Sequence, residues 1–235
     1  MKKRSKRYQE AAKLVDLESS YPLTEAVAKL KAFPAPKFDA TVTLAFSLGV
    51  DPRKSDQMIR GSVSLPHGTG KNVRVIVFAS GDAAKAAQDA GAEKVGLEDL
   101  IKEVQGGFLD FDAAIATPDA MAQVRKIARV LGPRGLMPNP KTGTVTEDTA
   151  KAVNEVKAGR VDYKVDKVGN VSAAIGKVSF DEQKIQENAE AFIDSIVKAK
   201  PSTTKGVYIK NVTIASAMNP GVKLEQAAYS PNSVA

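Results

Sequence analysis

Hydrophobic and polar side chains alternate without interruption early in the chain. Over residues 37–48, four apolar side chains occupy every second position from Val42, and small or hydroxyl-bearing side chains stand between them. A period of two predicts a β-strand with one buried and one solvated face. Phe38 is in phase with the apolar set, so the pattern predicts that its ring packs in the core. Hydroxyls on the solvated face can contact phosphate or ribose oxygens, although strands also favour them for β-propensity alone.

Antiparallel patterns return near the end of the chain. Residues 161–165 and 171–175 each alternate around a Val-Gly-Asn turn, which predicts a hairpin. A further strand is predicted over residues 206–216, and its alternation slips once near Asn211, which indicates a β-bulge. The sequence Met-Asn-Pro-Gly is expected to end this last strand. Between the hairpin and this strand runs a long apolar stripe at helical spacing, for which residues 179–182 read as a capping box.

The middle of the chain has a different pattern. Short apolar runs alternate there with amphipathic helical periods, and the runs lie at residues 73–79, 94–95 and 111–116. One helix is predicted to continue to Leu131, and another, over residues 147–158, to be capped by Thr146. This order of elements predicts a parallel sheet covered by helices.

A loop rich in proline follows the first of these two helices. Residues 132–145 read Gly-Pro-Arg-Gly-Leu-Met-Pro-Asn-Pro-Lys-Thr-Gly-Thr-Val, and their three prolines and three glycines exclude a helix interior or a central strand. Arg134 and Lys141 continue a run of cations that no acid interrupts between Lys126 and Thr146. Such a loop suits a polyanion, although a solvated loop stiffened by its prolines is an equal alternative.

Composition and charge limit which kinds of protein this chain can be. The 235 residues carry a net charge of +7 and a pI near 9.4, which favours an anionic partner such as nucleic acid. The absence of cysteine excludes disulfides and thiol nucleophiles, and the single histidine, His67, excludes a histidine zinc cluster. No apolar run approaches the roughly 18 residues that span a bilayer. Five cations in residues 2–7 form a basic tail without a following apolar segment, so we expect a cytoplasmic protein. The tail is expected to be unordered unless a polyanion binds it, and a tail that only adds solubility is an equal alternative.

Enzyme chemistry is the rival hypothesis for the middle of the chain. Gly70-Lys71 suggests a phosphate-binding loop, but Leu65 stands where that motif needs glycine, and Asn72 stands where it needs serine or threonine. The dinucleotide-binding fingerprint is absent as well. Because no nucleophile and base can be paired, we expect no catalysis, no cofactor and no metal site. A nonspecific RNA chaperone is a third hypothesis, which the well-patterned core weakens.

The order of patterns predicts how the chain divides. Antiparallel strands at both ends enclose the parallel unit, so we predict an α/β fold with two domains. A discontinuous α+β domain is expected from residues 1–66 plus 160–235, with a Rossmann-like, three-layer α/β domain inserted over residues 67–159. A double-stranded hinge is expected where the chain crosses between them, at Leu65, Pro66, His67, Gly68 and Gly159.

Five motifs stand in a fixed order along the chain. They are residues 37–42 (Lys-Phe-Asp-Ala-Thr-Val), 51–57 (Asp-Pro-Arg-Lys-Ser-Asp-Gln), Arg60-Gly61 with 65–68 (Leu-Pro-His-Gly), Phe111-Asp112 with 116–118 (Ala-Thr-Pro), and 131–143, which include most of the proline-rich loop. Together they resemble the family of the bacterial large ribosomal subunit's protein number one, the protein of the mobile stalk. The resemblance extends to about Lys223 with matching order and spacing.

This resemblance implies a two-domain protein without catalysis that binds ribosomal RNA of the stalk. It also implies a role in releasing deacylated tRNA from the exit site, and repression of translation through a similar structure in the protein's own messenger RNA. The domain built from both chain ends is implied to carry the main RNA site. The loop over residues 132–144 is then expected to make at most secondary RNA contacts, through Arg134 and Lys141.

The same resemblance implies which residues contact RNA. They are Lys37, Phe38 and Thr41 of the first strand, and, near the end of the last strand, Asn211, Ser216, Ala217, Met218, Asn219 and Pro220. Further cations, Arg53, Lys54 and Lys167, are expected to neutralise phosphates. The family usually reads Thr-Met-Gly-Pro where this chain reads Ala-Met-Asn-Pro, so one hydroxyl and one glycine are missing. Because asparagine tolerates a left-handed φ, we expect the turn to survive, with one RNA hydrogen bond affected by the missing hydroxyl.

Overall fold

The structure is a computed structural model that describes residues 4–204, 206–226 and 229, without the side chain of Lys141. Its α-helices are α1 (Lys6–Lys13), α2 (Leu23–Ala32), α3 (Asp82–Asp89), α4 (Glu98–Gln105), α5 (Met121–Val124), α6 (Ala128–Leu131), α7 (Thr149–Ala158) and α8 (Glu182–Lys198). Its strands are β1 (Ser20–Tyr21), β2 (Thr41–Leu48), β3 (Arg60–Ser64), β4 (Val75–Phe78), β5 (Lys94–Gly96), β6 (Ala113–Ala116), β7 (Arg160–Lys164), β8 (Asn170–Lys177), β9 (Ile209–Ser216) and β10 (Gly221–Leu224). Short 3₁₀ turns lie at Ser55–Gln57, Arg125–Ile127, Gly132–Arg134 and Pro140–Thr142.

Helices and sheets are mixed throughout, so the fold is α/β. The chain forms two compact units. The discontinuous unit contains the residues up to Gly70 and those from Val161 onward, and the inserted unit is Lys71–Arg160. In the described ranges, no helix is long and apolar enough to cross a membrane.

A sheet with strand order β1-β10-β9-β2-β8 organises the discontinuous unit. The alternation along β2 is confirmed, because every second residue from Val42 to Leu48 is buried. The bulge is confirmed too: Ser47 pairs with Asn211 and Leu48 with Ile209, which leaves Lys210 as the extra residue. Helices α2 and α8 cover the apolar face of this sheet, and the other face carries small and hydroxyl-bearing side chains.

The long helix α8 supplies the centre of this core. The Phe192 ring meets the Phe46 ring edge-on at 5.4 Å between centroids, and the Tyr163 ring at 5.5 Å. The Tyr163 hydroxyl lies 2.9 Å from Ser195 Oγ, so the ring is fixed by packing at its face and by a hydrogen bond at its tip. The predicted apolar stripe of this helix therefore faces the sheet as expected.

One polar residue interrupts that stripe and is fully buried. Asn188 Oδ1 accepts a hydrogen bond from the His67 N–H at 3.0 Å, and Asn188 Nδ2 donates to the carbonyls of Gly68 at 2.9 Å and Ile175 at 2.7 Å. The His67 ring also contacts the Glu187 carboxylate through Nε2. One helix turn therefore holds the main chain at residues 67–68 against the discontinuous unit.

The inserted unit has the parallel sheet that the alternating pattern predicts. Its strand order is β5-β4-β6, and β4 is buried along its whole length. One face packs against α4, α5 and α6, and the other against α3 and α7, which gives three layers. Val145, from the end of the proline-rich loop, forms a parallel bridge with Ala116 and so extends the sheet edge.

Some elements carry too little local pattern to be predicted. β3 lies directly before the residues expected to form the hinge, and β10 follows the turn that was expected to end the last strand. Helix α1 begins at Lys6, inside the basic tail, and the Ser5 hydroxyl caps it by accepting from the Tyr8 N–H at 3.3 Å. The prediction of an unordered tail is therefore wrong from Lys6 onward, and Lys2 and Lys3 lie outside the described residues.

Two predicted helix starts and one predicted helix interior are also wrong. Asp148, not Thr146, caps α7, because its carboxylate accepts from the Lys151 N–H at 3.0 Å. Ser179 makes no capping bond to α8 and contacts a different part of the unit. The helix expected to continue to Leu131 is divided into α5 and α6 by the 3₁₀ turn Arg125–Ile127.

Candidate nucleic-acid interface

Three neighbouring strands end at the same edge of the five-stranded sheet. Thr41 at the start of β2 pairs with Lys177 at the end of β8, and Val42 pairs with Ser216 at the end of β9. The Ala217 N–H donates to the Thr41 carbonyl at 3.0 Å, which fixes the chain after β9 to the start of β2. We call this edge the strand-end site: Lys37–Thr41, Lys177 and Ser216–Pro220.

Phe38 is half exposed at this site, with 50% of its surface accessible. The prediction that its ring packs in the core is wrong, because the strand begins at Thr41 and not at Lys37, so the strand's phase does not extend to Phe38. The next residue, Asp39, is anchored: its carboxylate accepts from the Ser179 N–H at 3.2 Å and the Ser179 hydroxyl at 2.8 Å. Lys37 and Phe38 are thus presented to solvent from a fixed segment.

A tight turn between β9 and β10 presents the second apolar side chain. Met218 is 68% exposed and has a φ of 67°, the only positive φ of a non-glycine residue in the described ranges. The left-handed residue is therefore Met218 and not Asn219. The turn is held by the Asn219 N–H, which donates to the Ser216 carbonyl at 3.1 Å, and by Asn219 Nδ2, which donates to Ser216 Oγ at 2.9 Å. A left-handed conformation is unfavourable by about 1 kcal/mol or more, so its occurrence here points to function.

Lys177 belongs to the strand-end site, although sequence reasoning did not identify it. Its Nζ donates to Thr41 Oγ1 at 3.0 Å and lies 3.5 Å from the Asp39 carbonyl. The hydroxyl predicted to contact RNA is thus already hydrogen-bonded to a cation. Only the register between β2 and β8 brings the two side chains together, and no local pattern in the sequence reports that register.

The cations expected to neutralise phosphates lie at the opposite end of β2. The Leu48 N–H donates to the Gly169 carbonyl at 2.9 Å, and Asn211 pairs with Ser47, so Arg53, Lys54 and Lys167 lie near that end. Seven residue steps separate Thr41 from Leu48, or about 23 Å at roughly 3.3 Å per residue. The structure therefore divides the predicted RNA-binding residues into two groups.

An open groove accompanies this second group. We call it the basic groove; its lining is Pro52, Met58, Lys164, Val165, Asp166 and Lys167. Asp166 Oδ1 accepts from the N–H groups of Asn170 and Val168, both at 2.8 Å, and these bonds hold the pKa of Asp166 below its usual value. The carboxylate therefore stays ionised and shapes the turn that presents Lys167.

The inserted unit carries exposed cations of its own. Arg134 is exposed on the 3₁₀ turn Gly132–Arg134, and the side chain of Lys141 lies outside the described residues. Arg125, Lys126 and Arg129 are exposed on the preceding helical segment. Within the described ranges, none of these three side chains, nor that of Arg134, forms a salt bridge with an acid. The loop is hydrogen-bonded within itself, because the Thr144 hydroxyl accepts from the Asn139 N–H at 2.8 Å.

The residues expected to form a hinge are held by local contacts or have backbone conformations that favour glycine. Leu65 is buried, His67 and Gly68 are held by Asn188, and Gly68 has a φ of 64°. Gly159 has a φ of 108° and ends α7, a conformation that favours glycine.

The chain matches the model of a known protein family. The model of the family described as ribosomal protein L1p/L10e matches residues 30–220, which is more than half of the chain. The matched span includes every residue of the strand-end site and of the basic groove. Among the described residues, no group of three histidine, aspartate or glutamate side chains is placed to hold a metal ion.

Proposed function

The chain belongs to the ribosomal protein L1p/L10e family, and from this premise we propose that the strand-end site is its principal contact with ribosomal RNA. The family is structural and not enzymatic: its members are constituents of the large ribosomal subunit, in the cytoplasm, and bind ribosomal RNA. What needs an explanation is therefore which surface binds and how.

The observation that supports the strand-end site is a pair of large apolar side chains exposed at one edge. Phe38 and Met218 project from segments that hydrogen bonds hold in place, so binding need not order them first. Proteins recognise folded RNA by shape, by ribose hydroxyls and by stacking on unpaired bases. Phe38 offers a face for stacking, and Met218 offers a flexible surface that follows sugar edges.

Phosphate contacts complete the proposed interface. Lys37 and Lys177 place positive charge beside the apolar pair. Arg53, Lys54 and Lys167, the last of which lines the basic groove, do so toward the other end of β2, which is about 23 Å long from Thr41 to Leu48. Asn211 lies on β9 opposite Ser47, toward the same end of β2, and is proposed to contact a ribose or a phosphate. Each phosphate neutralised contributes about −0.7 to −0.9 to the slope of log affinity against log salt concentration.

A competition experiment tests this function. The full chain is titrated with a transcribed stalk fragment of large-subunit ribosomal RNA, at moderate salt and with excess tRNA. Specific binding should persist, whereas a nonspecific polycation would be stripped from the fragment. Repression of the protein's own messenger is proposed through the same site, so the messenger's leader should displace the fragment. Failure of that displacement would remove the regulatory role alone.

We further propose that the inserted unit contacts tRNA as it leaves the exit site. The support is the exposed basic surface formed by Arg125, Lys126, Arg129 and Arg134, to which Lys141 adds a fifth cation in sequence.

Charge reversal tests this second surface. Arg125→Glu with Arg129→Glu should weaken tRNA binding by about tenfold, because two phosphate contacts become repulsive, and should leave the affinity for the stalk fragment unchanged. Lys85→Glu with Lys102→Glu, on other helices of the inserted unit, is the matched control. Equal losses in both double variants would contradict a localised tRNA surface.

The same function suggests how the two units are joined. We propose that the discontinuous unit acts as the RNA-binding domain and that the inserted unit turns about a double-stranded hinge at Leu65–Gly68 and Gly159. Two observations support this proposal. Glycines with positive φ stand at 68 and 159, and the hydrogen bonds of Asn188 hold residues 67–68, where the crossing segment begins, to α8.

A further inference from the structure

The side chain of Asn219 has one hydrogen-bonding group without a partner. Its Nδ2 donates to Ser216 Oγ at 2.9 Å, whereas its Oδ1 is buried and accepts no hydrogen bond from any described residue. A carbonyl oxygen withdrawn from water without a donor is unfavourable, so such atoms are uncommon in folded proteins. This one lies in the middle of the strand-end site.

Neighbouring N–H groups of the turn do not donate to Asn219 Oδ1. The Ala217 N–H already donates to the Thr41 carbonyl, and the Asn219 N–H to the Ser216 carbonyl. Pro220 has no N–H to donate. Ser216 is almost completely buried and holds the other end of the carboxamide, so the orientation of Asn219 is set by the protein.

Asn219 is also the one residue of the turn whose side chain can make a directional hydrogen bond. The sequence Ala217-Met218-Asn219-Pro220 otherwise provides a methyl group, a thioether and a proline ring. Any selectivity that the side chains of this turn have for a particular hydrogen-bonding group must therefore come from the carboxamide.

We propose that Asn219 Oδ1 accepts a hydrogen bond from the bound RNA and is a specificity-determining group of the strand-end site, an inference that rests on the function proposed above. The RNA group must be a donor. Phosphate oxygens only accept, so the contact is made by a ribose 2′-hydroxyl or by the guanine amine, the donors that the accessible minor groove of RNA displays. RNA that packs on the exposed Met218 moves that side chain and approaches the Asn219 carboxamide, whose orientation Ser216 holds.

A double-mutant cycle between protein and RNA tests this contact. The full chain and its Asn219→Ala variant are titrated with the stalk fragment carrying single 2′-deoxy substitutions, and in a second series carrying inosine for guanosine, which removes the base amine. Asn219→Ala should weaken binding to the unmodified fragment about 3- to 10-fold. One modified position should weaken the wild-type protein by a similar factor and leave Asn219→Ala unaffected. The series in which that position occurs identifies the donor.

The controls separate this contact from a loss of structure. The midpoint of thermal unfolding should fall only slightly in Asn219→Ala, because Ser216 Oγ loses one hydrogen bond while the core is unchanged. Asn72→Ala, at an exposed asparagine of the inserted unit, should bind as wild type. Asn219→Gly should match Asn219→Ala, because both lack the carboxamide.

Two results would overturn the inference: wild-type affinity of Asn219→Ala, or modifications that all weaken both proteins equally. If wild-type protein itself shows no specific binding to the unmodified fragment, it is the proposed function that fails.

Discussion

Replacing Phe38 and Met218 together by alanine is expected to weaken binding to the ribosomal RNA fragment by roughly 2–4 kcal/mol, or about 30- to 1,000-fold. Two mechanisms add here. An RNA base loses the Phe38 ring as a stacking partner, and no Met218 side chain remains to exclude water from the hydrogen bonds beneath it. Both side chains are exposed in the free protein, so the substitutions leave no cavity in the core.

Equilibrium binding at fixed salt measures this effect, with urea unfolding as the check on stability. Leu14→Ala with Leu17→Ala is the matched control, since these two apolar side chains are similarly exposed but lie in the segment after α1. A double variant of Phe38 and Met218 with wild-type affinity would rule out the strand-end site. An equal loss in the leucine control would show that exposed apolar surface binds RNA without selectivity.

Asn188→Leu is expected to lower the free energy of unfolding by roughly 2–4 kcal/mol. Leucine has the same branched skeleton, with two methyl groups where asparagine has an oxygen and a nitrogen, so the change removes hydrogen bonds without opening a cavity. The His67 N–H and the carbonyls of Gly68 and Ile175 lose their partner, and the Ile175 carbonyl lies where water does not reach. Urea denaturation measures the effect, and Asn154→Leu, an exposed position on α7, is the matched control.

The same variant tests the origin of the proposed hinge. Hydrogen exchange of the His67 amide should become much faster in Asn188→Leu, because the acceptor that protects it is gone. Unchanged exchange at His67, or a stability loss no larger than that of Asn154→Leu, would show that the segment is held by other contacts.

Local pattern was enough to predict elements with a strong period. β2 alternates over eight residues, and α8 repeats its apolar positions from Ile185 to Val197, so both follow from sequence alone. β3 reads Arg-Gly-Ser-Val-Ser and buries one residue, which is too little to separate it from a loop. A strong period can also hide an irregularity: the apolar stripe that ends at Leu131 is continuous in sequence and did not reveal the 3₁₀ turn within the helix.

The candidate site was also predictable only in part, in its residues but not in their arrangement. Family resemblance supplied Phe38, Thr41 and Met218 as residue types in a known order, but it did not show which of them share an edge. That depends on pairing between strands far apart in sequence: Lys177 joins the site through Thr41, and the cations at Arg53 and Lys167 are placed at the other end. Register is a property of the whole sheet, which a window of neighbouring residues does not contain.

The strand order of the discontinuous unit has a consequence for biosynthesis. Ser20 pairs with Lys223, and β2 lies between strands made much later, so this sheet cannot close until nearly the entire chain has left the ribosome. The inserted unit needs only the continuous stretch Lys71–Arg160 and can fold earlier. Chains arrested before Ile209 should therefore protect the inserted unit from protease while β2 is still cleaved. The proposed RNA-binding surface of this ribosomal protein would then form only as its own translation ends.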